Sequence, residues 1–169
     1  VTRLVAAPIC TEGLRLDPLQ EDDAAEMAGV LADPALHTYI GGEPDDVDRL
    51  RARYRRMLAG PRDPAESWLN WIVRDGTGSA IGTVQATVVE RAGLMRATVA
   101  WVIGVPWQGR GHASAAAAAM VAWLRQQGVT RVTAHVHPEH RAWERVAERC
   151  GLAPTGRTVG GERVWERTA

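Results

Sequence analysis

Over residues 21–58 the apolar positions recur at helical spacing. Ala24, Ala25, Ala28 and Leu31 fall near one face of a helix predicted over residues 21–32, and Asp33-Pro34 closes it. Gly41-Gly42 and Pro44 form a loop. Val47, Leu50, Tyr54, Met57 and Leu58 then stripe a second helix over residues 45–58, with arginines on its other faces. Ahead of both, residues 14–16 alternate apolar and basic before Asp17-Pro18, which reads as a strand leading into a helix start. After the breaker-rich residues 60–64 the period drops to two. Residues 68–74 and 80–90 are expected as strands about a turn at 75–78, and residues 97–103 as a third strand, giving an antiparallel meander. Helical spacing returns over residues 111–127, where Ala113, Ala117, Met120, Val121 and Leu124 share a face and Gly128 is the stop. A strand over 131–137, a helix over 139–149 ended by Gly151, and a hairpin over 155–166 turning at Gly160-Gly161 complete the chain. This order predicts an α/β (α+β) fold with a mixed, mostly antiparallel sheet.

The 169 residues suit one domain, 1–169, with neither an internal linker nor a repeat. Twenty basic and 20 acidic residues cancel, which argues against a general nucleic-acid or membrane-surface binder. Cys10 and Cys150 match no zinc or redox spacing and read as reduced thiols. The first ten residues lack the apolar core of a signal peptide, and the longest apolar tract, 115–123, reads as helix rather than membrane span. A soluble, cytoplasmic protein is the expectation. Trp68, Trp71, Trp101, Trp107 and Trp143 are expected to fill the core more often than to line a pocket.

Chemistry concentrates between the third meander strand and the alanine-rich helix, in Gln108-Gly109-Arg110-Gly111-His112-Ala113-Ser114. A helix start leaves N–H groups without intrahelical partners and carries partial positive charge. Glycines let that backbone approach a pyrophosphate, with Arg110 as a cation at the rim. A P-loop is excluded, because His112-Ala113 stands where Lys-Ser or Lys-Thr is required. The dinucleotide fingerprint wants an acidic residue at the end of the next strand, and this one ends in His135-Val136-His137-Pro138.

The Gln/Arg-x-x-Gly-x-Gly/Ala pattern of residues 108–113 resembles the GCN5-related N-acetyltransferase (GNAT) superfamily. Leu14-Arg15-Leu16-Asp17-Pro18-Leu19 is similar to its first strand. His137 through Ala142, Val146-Ala147-Glu148 and Cys150-Gly151-Leu152 are similar to its last helix and glycine stop. The spacing is nearest the branch that includes ribosomal-protein N-terminal acetyltransferases. The resemblance implies a sheet whose central strand pair splays, with a bulge in the strand before the loop. Acyl-CoA would thread the opening, its arm on the backbone of Val102, Ile103, Gly104 and Val105. The phosphates would lie on Gln108, Gly109, Arg110, Gly111, His112, Ala113 and Ser114, with His140 nearby at the start of the last helix. It implies acetyl transfer from acetyl-CoA to a primary amine of a small molecule, peptide or protein N-terminus. The alternative is a catalytically degenerate acyl-CoA-binding module.

The chain departs from the family at its usual helpers. Ala147 stands where a tyrosine acid is common, His140 and Trp143 where Asn and Ser are common, and Thr98 is the nearest match to a glutamate of the splayed strand. His135 and His137, on one strand face, are then the candidate catalytic residues, since imidazole titrates near neutrality. Each also has a structural reading as a side chain bonded to backbone. No metal is expected, and the edge of the C-terminal hairpin offers a homodimer surface.

Overall fold

The structure is a computed structural model that describes residues 3–168. Its frame is one eight-stranded sheet in the order β1-β2-β3-β4-β5-β6-β8-β7. The strands are β1 (Ile9–Thr11), β2 (Leu14–Pro18), β3 (Glu66–Arg74), β4 (Ala80–Arg91), β5 (Leu94–Ile103), β6 (Val129–Val136), β7 (Ala153–Val159) and β8 (Glu162–Thr168). Every neighbouring pair is antiparallel except β5–β6. The parallel pair follows from the crossover helix α4 (His112–Gln126) between its strands. The expected meander is β3–β4–β5.

The sheet is covered on both faces. Leu69, Trp71 and Val73 of β3 and Ala97, Val99 and Trp101 of β5 pack with Ala116, Ala117, Met120 and Leu124 of α4. Trp71 is fully buried and its indole N–H donates to Ala7 O at 2.8 Å, so its polar edge is satisfied within the core. On the other face Ile72 and Ala80 meet Met27 and Val30 of α1 (Ala24–Val30) and Leu50 and Tyr54 of α3 (Val47–Ala59). Cys10 and Cys150 are free thiols, and burial pushes Cys150 up to about 11. None of the described helices is long and apolar enough to cross a membrane.

Several boundaries differ from expectation. The first helix begins as a 3-10 turn, Glu21–Asp23, and ends at Val30. Asp33-Pro34, read as its stop, also starts a helix, α2 (Pro34–Ile40). The Asp33 carboxylate accepts from Ala35 N–H at 2.8 Å, and proline suits the first helical position because no N–H is needed there. His37 and Tyr39 are therefore helical. β1 was not expected, its three residues being too few to show a period. β6 ends before His137, and the last helix, α5 (Arg141–Arg149), starts two residues late.

One network ties these pieces together. Arg74, at the end of β3, lies 3.2 Å from Asp17 of β2, 2.8 Å from Asp23 and 2.9 Å from Glu26 of α1. Glu26 also accepts Ala80 N–H of β4 at 2.7 Å. A single guanidinium thus joins strands β2 and β3 to the first helix.

Candidate active site

The site begins where β5 and β6 part. Against β4, β5 keeps an unbroken register from Arg91↔Leu94 to Gly82↔Ile103. Against β6 it pairs only from Met95↔Val129 to Val99↔Ala134, while β6 goes on pairing with β8 as far as Val136↔Arg163. Residues 100–103 therefore keep an open edge facing a wedge. The splay matches the expectation from the resemblance, but the bulge does not occur at the strand end. The only irregularity in β5 lies at Met95/Arg96, on the β6 side. A Cβ built on Gly82 would sit 2.2 Å from Val102 O, so only glycine fits in β4 beside this strand end.

At the end of this edge the chain turns sharply. The Gln108 side chain donates to Ile103 O at 2.9 Å, pinning the loop to the strand. Gly109 (φ +75°) and Gly111 (φ +81°) take left-handed conformations, and no atom lies within 4 Å of a Cβ built on either. Glycine is needed there for backbone shape, not for room. The first loop-to-helix bond is Ala115 N–H to Gly111 O. Among the described residues, the N–H groups of residues 109 through 114 meet no protein acceptor. Six open amides at the positive end of a 15-residue helix make an anion cradle.

A cavity of about 330 Å³ lies over this cradle. It brings together Ile103, Gln108, Gly109, Gly111, His112, Ala113, Ser114 and His140 of the expected residues. Val102 lines a second cavity, whereas Gly104, Val105 and Arg110 line neither. Gly104 is packed against the Trp107 ring, with Val105 and Arg110 exposed. Two cations were missed by sequence reasoning. Arg145 and Arg149 line the cradle from α5, and Arg149 donates to Ser114 Oγ at 3.4 Å. Their i, i+4 spacing was visible, but nothing in the chain told which way that helix faced.

The second cavity, about 690 Å³, opens on the other sheet face. Trp101 and Trp143, their ring centroids 6.1 Å apart, line both cavities and mark where they meet. Its walls come from Tyr39 and Ile40 of α2 and from Leu50, Arg53, Tyr54 and Met57 of α3; strands β3 to β6 form its floor. Asp45 holds Arg53 at 2.7 Å and Arg49 at 3.8 Å. Tyr54 Oη and Trp101 Nε1 are buried without a hydrogen-bond partner among the described residues. Burial pushes the Tyr54 phenol far above its ordinary range, so it stays protonated.

The three histidines separate by role. His135 lines the larger cavity, its Nδ1 3.9 Å from the Glu162 carboxylate. His137 lies past the strand end, where its Nδ1 accepts from Glu139 N–H at 3.2 Å. His140 caps α5, its Nδ1 accepting from Trp143 N–H at 3.3 Å, and its ring stacks on Trp143 at 4.7 Å. Accepting at Nδ1 requires the neutral ring with its proton on Nε2. Burial, reinforced by His137, accordingly holds His140 below its ordinary value. A depressed folded-state value contributes stability above the unfolded value of 6.5, lost as pH falls through the folded one. Wild-type melting temperature should therefore decline between pH 7.5 and 5 more steeply than that of His140→Asn, whose amide caps without titrating. Equal slopes in thermal unfolding would remove this role. No group of three His, Cys, Asp or Glu side chains placed to hold a metal ion occurs among the described residues.

The family model described as Acetyltransferase (GNAT) domain matches residues 13–153. The chain belongs to this family. No curated protein matches it closely enough to count as a relative. Among solved structures, the GNAT-family acetyltransferase of Bacillus anthracis superposes with a TM-score of 0.78 at 18% identity, covering 96% of this chain and 98% of that one. The Vibrio cholerae spermidine N-acetyltransferase in complex with CoA and spermine gives 0.71 at 20%, covering 92% and 94%. The ribosomal-protein-S5-alanine acetyltransferase of Vibrio fischeri gives 0.76 at 16%, covering 96% of both chains. These likenesses concern the fold.

Proposed function

We propose that this GNAT protein transfers an acetyl group from acetyl-CoA to a primary amine of a small molecule, peptide or protein N-terminus, by direct attack. One observation carries the reading: the open edge at residues 100–103 leads straight into the open amides of residues 109–114. A pyrophosphate on the cradle, with Arg145 and Arg149 beside it, places an extended arm along that edge. The acyl end then reaches the apex of the wedge, next to Ala100, where the cavities meet. Acetyl-CoA supplies a thioester carbonyl as electrophile. Two of the similar structures lend support, one holding CoA and spermine and the other named for an alanine of ribosomal protein S5.

The acceptor amine enters from the larger cavity and its lone pair forms the new C–N bond. The C–S bond breaks, its electron pair leaving on sulfur, and the thiolate takes a proton from solvent. The surplus amine proton passes to His135, which faces this cavity with its Nδ1 3.9 Å from the Glu162 carboxylate. His137 and His140 use Nδ1 on backbone and serve as positioning residues. Ala147 is wholly buried and supplies no proton.

Thiol release from acetyl-CoA across a panel of amines tests the proposal. Turnover with at least one amine is expected. His135→Gln should lower kcat by about 10²-fold, with acetyl-CoA affinity within about twofold of wild type. Tight CoA binding with no thiol release for any amine would overturn it in favour of an acyl-CoA-binding module.

A further inference from the structure

The floor of the larger cavity carries a row of side chains that the transfer chemistry above does not use. Asn70 of β3 is the register partner of Gln85 of β4, and Gln85 lies opposite Ala100 of β5. Register partners stand on the same face of a sheet. All three residues line the cavity, and β6 leaves β5 one residue before Ala100. The row therefore runs from the apex of the wedge outward under the acceptor space.

Neither carboxamide is used by the fold. Among the described residues, no protein group donates to or accepts from either side-chain amide. Asparagine is also a poor strand former, yet it occupies the middle of β3 between Trp68 and Ile72 on that face. Each carboxamide presents one acceptor oxygen and two N–H donors, the complement of another amide. Their cavity-floor neighbours Thr83 and Thr98 are uncharged, whereas the guanidiniums of the wall are engaged by Asp45.

Spacing turns the row into a ruler. Adjacent strands lie about 4.8 Å apart, so Gln85 is roughly 5 Å and Asn70 roughly 10 Å from the β5 edge. Resting on the transferase reading, which places the acyl carbon beside Ala100, we infer that Gln85 and Asn70 select the acceptor. They hold uncharged amide groups lying about 5 and 10 Å from the reacting nitrogen. An extended chain advances about 3.3 Å per residue. The first amides of such an acceptor lie over Gln85, and Asn70 is met only by a third residue.

The test compares alaninamide, trialaninamide, heptylamine (similar length, no amide) and the polyamine spermidine as acceptors. Trialaninamide should show the highest kcat/KM, with heptylamine and spermidine at least about tenfold lower. Asn70→Leu should remove the advantage of trialaninamide over alaninamide through KM, leaving alaninamide itself unchanged. Gln85→Met should weaken both amides. Acetyl-CoA affinity should stay at the wild-type value in both variants. Equal or faster turnover of heptylamine or spermidine overturns the inference, as does an Asn70→Leu loss that is the same for both amides.

Calorimetry of trialaninamide binding to the CoA-loaded protein separates the two readings. Binding that Asn70→Leu weakens about tenfold, in a protein that turns over no amine, sustains the amide site while the transferase reading falls. No binding of trialaninamide overturns the amide site.

Discussion

Gly111→Val should abolish measurable CoA binding, a loss of more than about 100-fold, in a protein that still folds. Gly111 sits at φ +81° directly before α4, where a β-branched side chain is strained whatever the surrounding space. A left-handed non-glycine residue costs roughly 1–2 kcal/mol, equivalent to a drop of a few degrees in melting temperature for a chain of this size. Nothing within 4 Å obstructs the new side chain, so the strain is relieved by turning the loop, not by disturbing the core. Turning the loop disperses amides that must converge on one anion. Losing several charge-assisted hydrogen bonds together exceeds the roughly 2.7 kcal/mol that 100-fold represents. Calorimetry with CoA, alongside thermal unfolding, separates the two effects. Unchanged affinity would remove residues 109–114 from the cofactor site.

The second large effect is on stability. Arg74→Met should cost about 3 kcal/mol at pH 7, the lower end of the range for breaking a buried ion pair. The lower end applies because Asp17, with the Arg15 guanidinium 2.7 Å away, and the half-open Glu26 keep other partners or solvent. The change leaves three carboxylates facing one another around an apolar side chain. A fall of roughly 6–12 °C in melting temperature follows.

Its pH dependence has a definite sign. The Ala80 N–H and then the Arg74 guanidinium hold the Glu26 carboxyl below its ordinary value of 4.5. In the wild type this stability is complete above that value and is lost as pH falls through the lowered one. In Arg74→Met acid instead relieves carboxylate repulsion, so the gap between the two proteins should narrow from pH 7 to pH 4. A gap that stays constant would mean that lost packing of the arginine stem, and not charge, sets the cost.

The frame of the molecule was readable because most elements show one clean period. The loop was readable because its glycines stand between two such elements. What escaped has specific physical causes. Asp33-Pro34 fits a helix end and a helix start equally well, and only the cap from Asp33 to Ala35 decides between them. Arg145 and Arg149 join the lining of the cradle only once α5 is seen to pack on α4. The acceptor floor was hidden because Trp71, Ile72 and Val73 are all buried, which blurs the alternation that would have set Asn70 on a face. His135 and His137 look equivalent two apart in sequence. Their difference lies in the strand ending between them, at Val136.

The unbroken β4–β5 register has a consequence for what the wedge can admit. Because β4 fixes β5 along its whole length, the opening between β5 and β6 starts from a paired contact at Val99 and Ala134. A peptide strand needs about 4.8 Å on each side to pair, and side chains above and below. Such a strand would jam well short of the apex. A thin, sparsely branched chain can follow the same backbone groups further in. The wedge is thus a sieve by thickness: it keeps an exposed strand edge usable by a slender ligand and closed to the edge of another sheet.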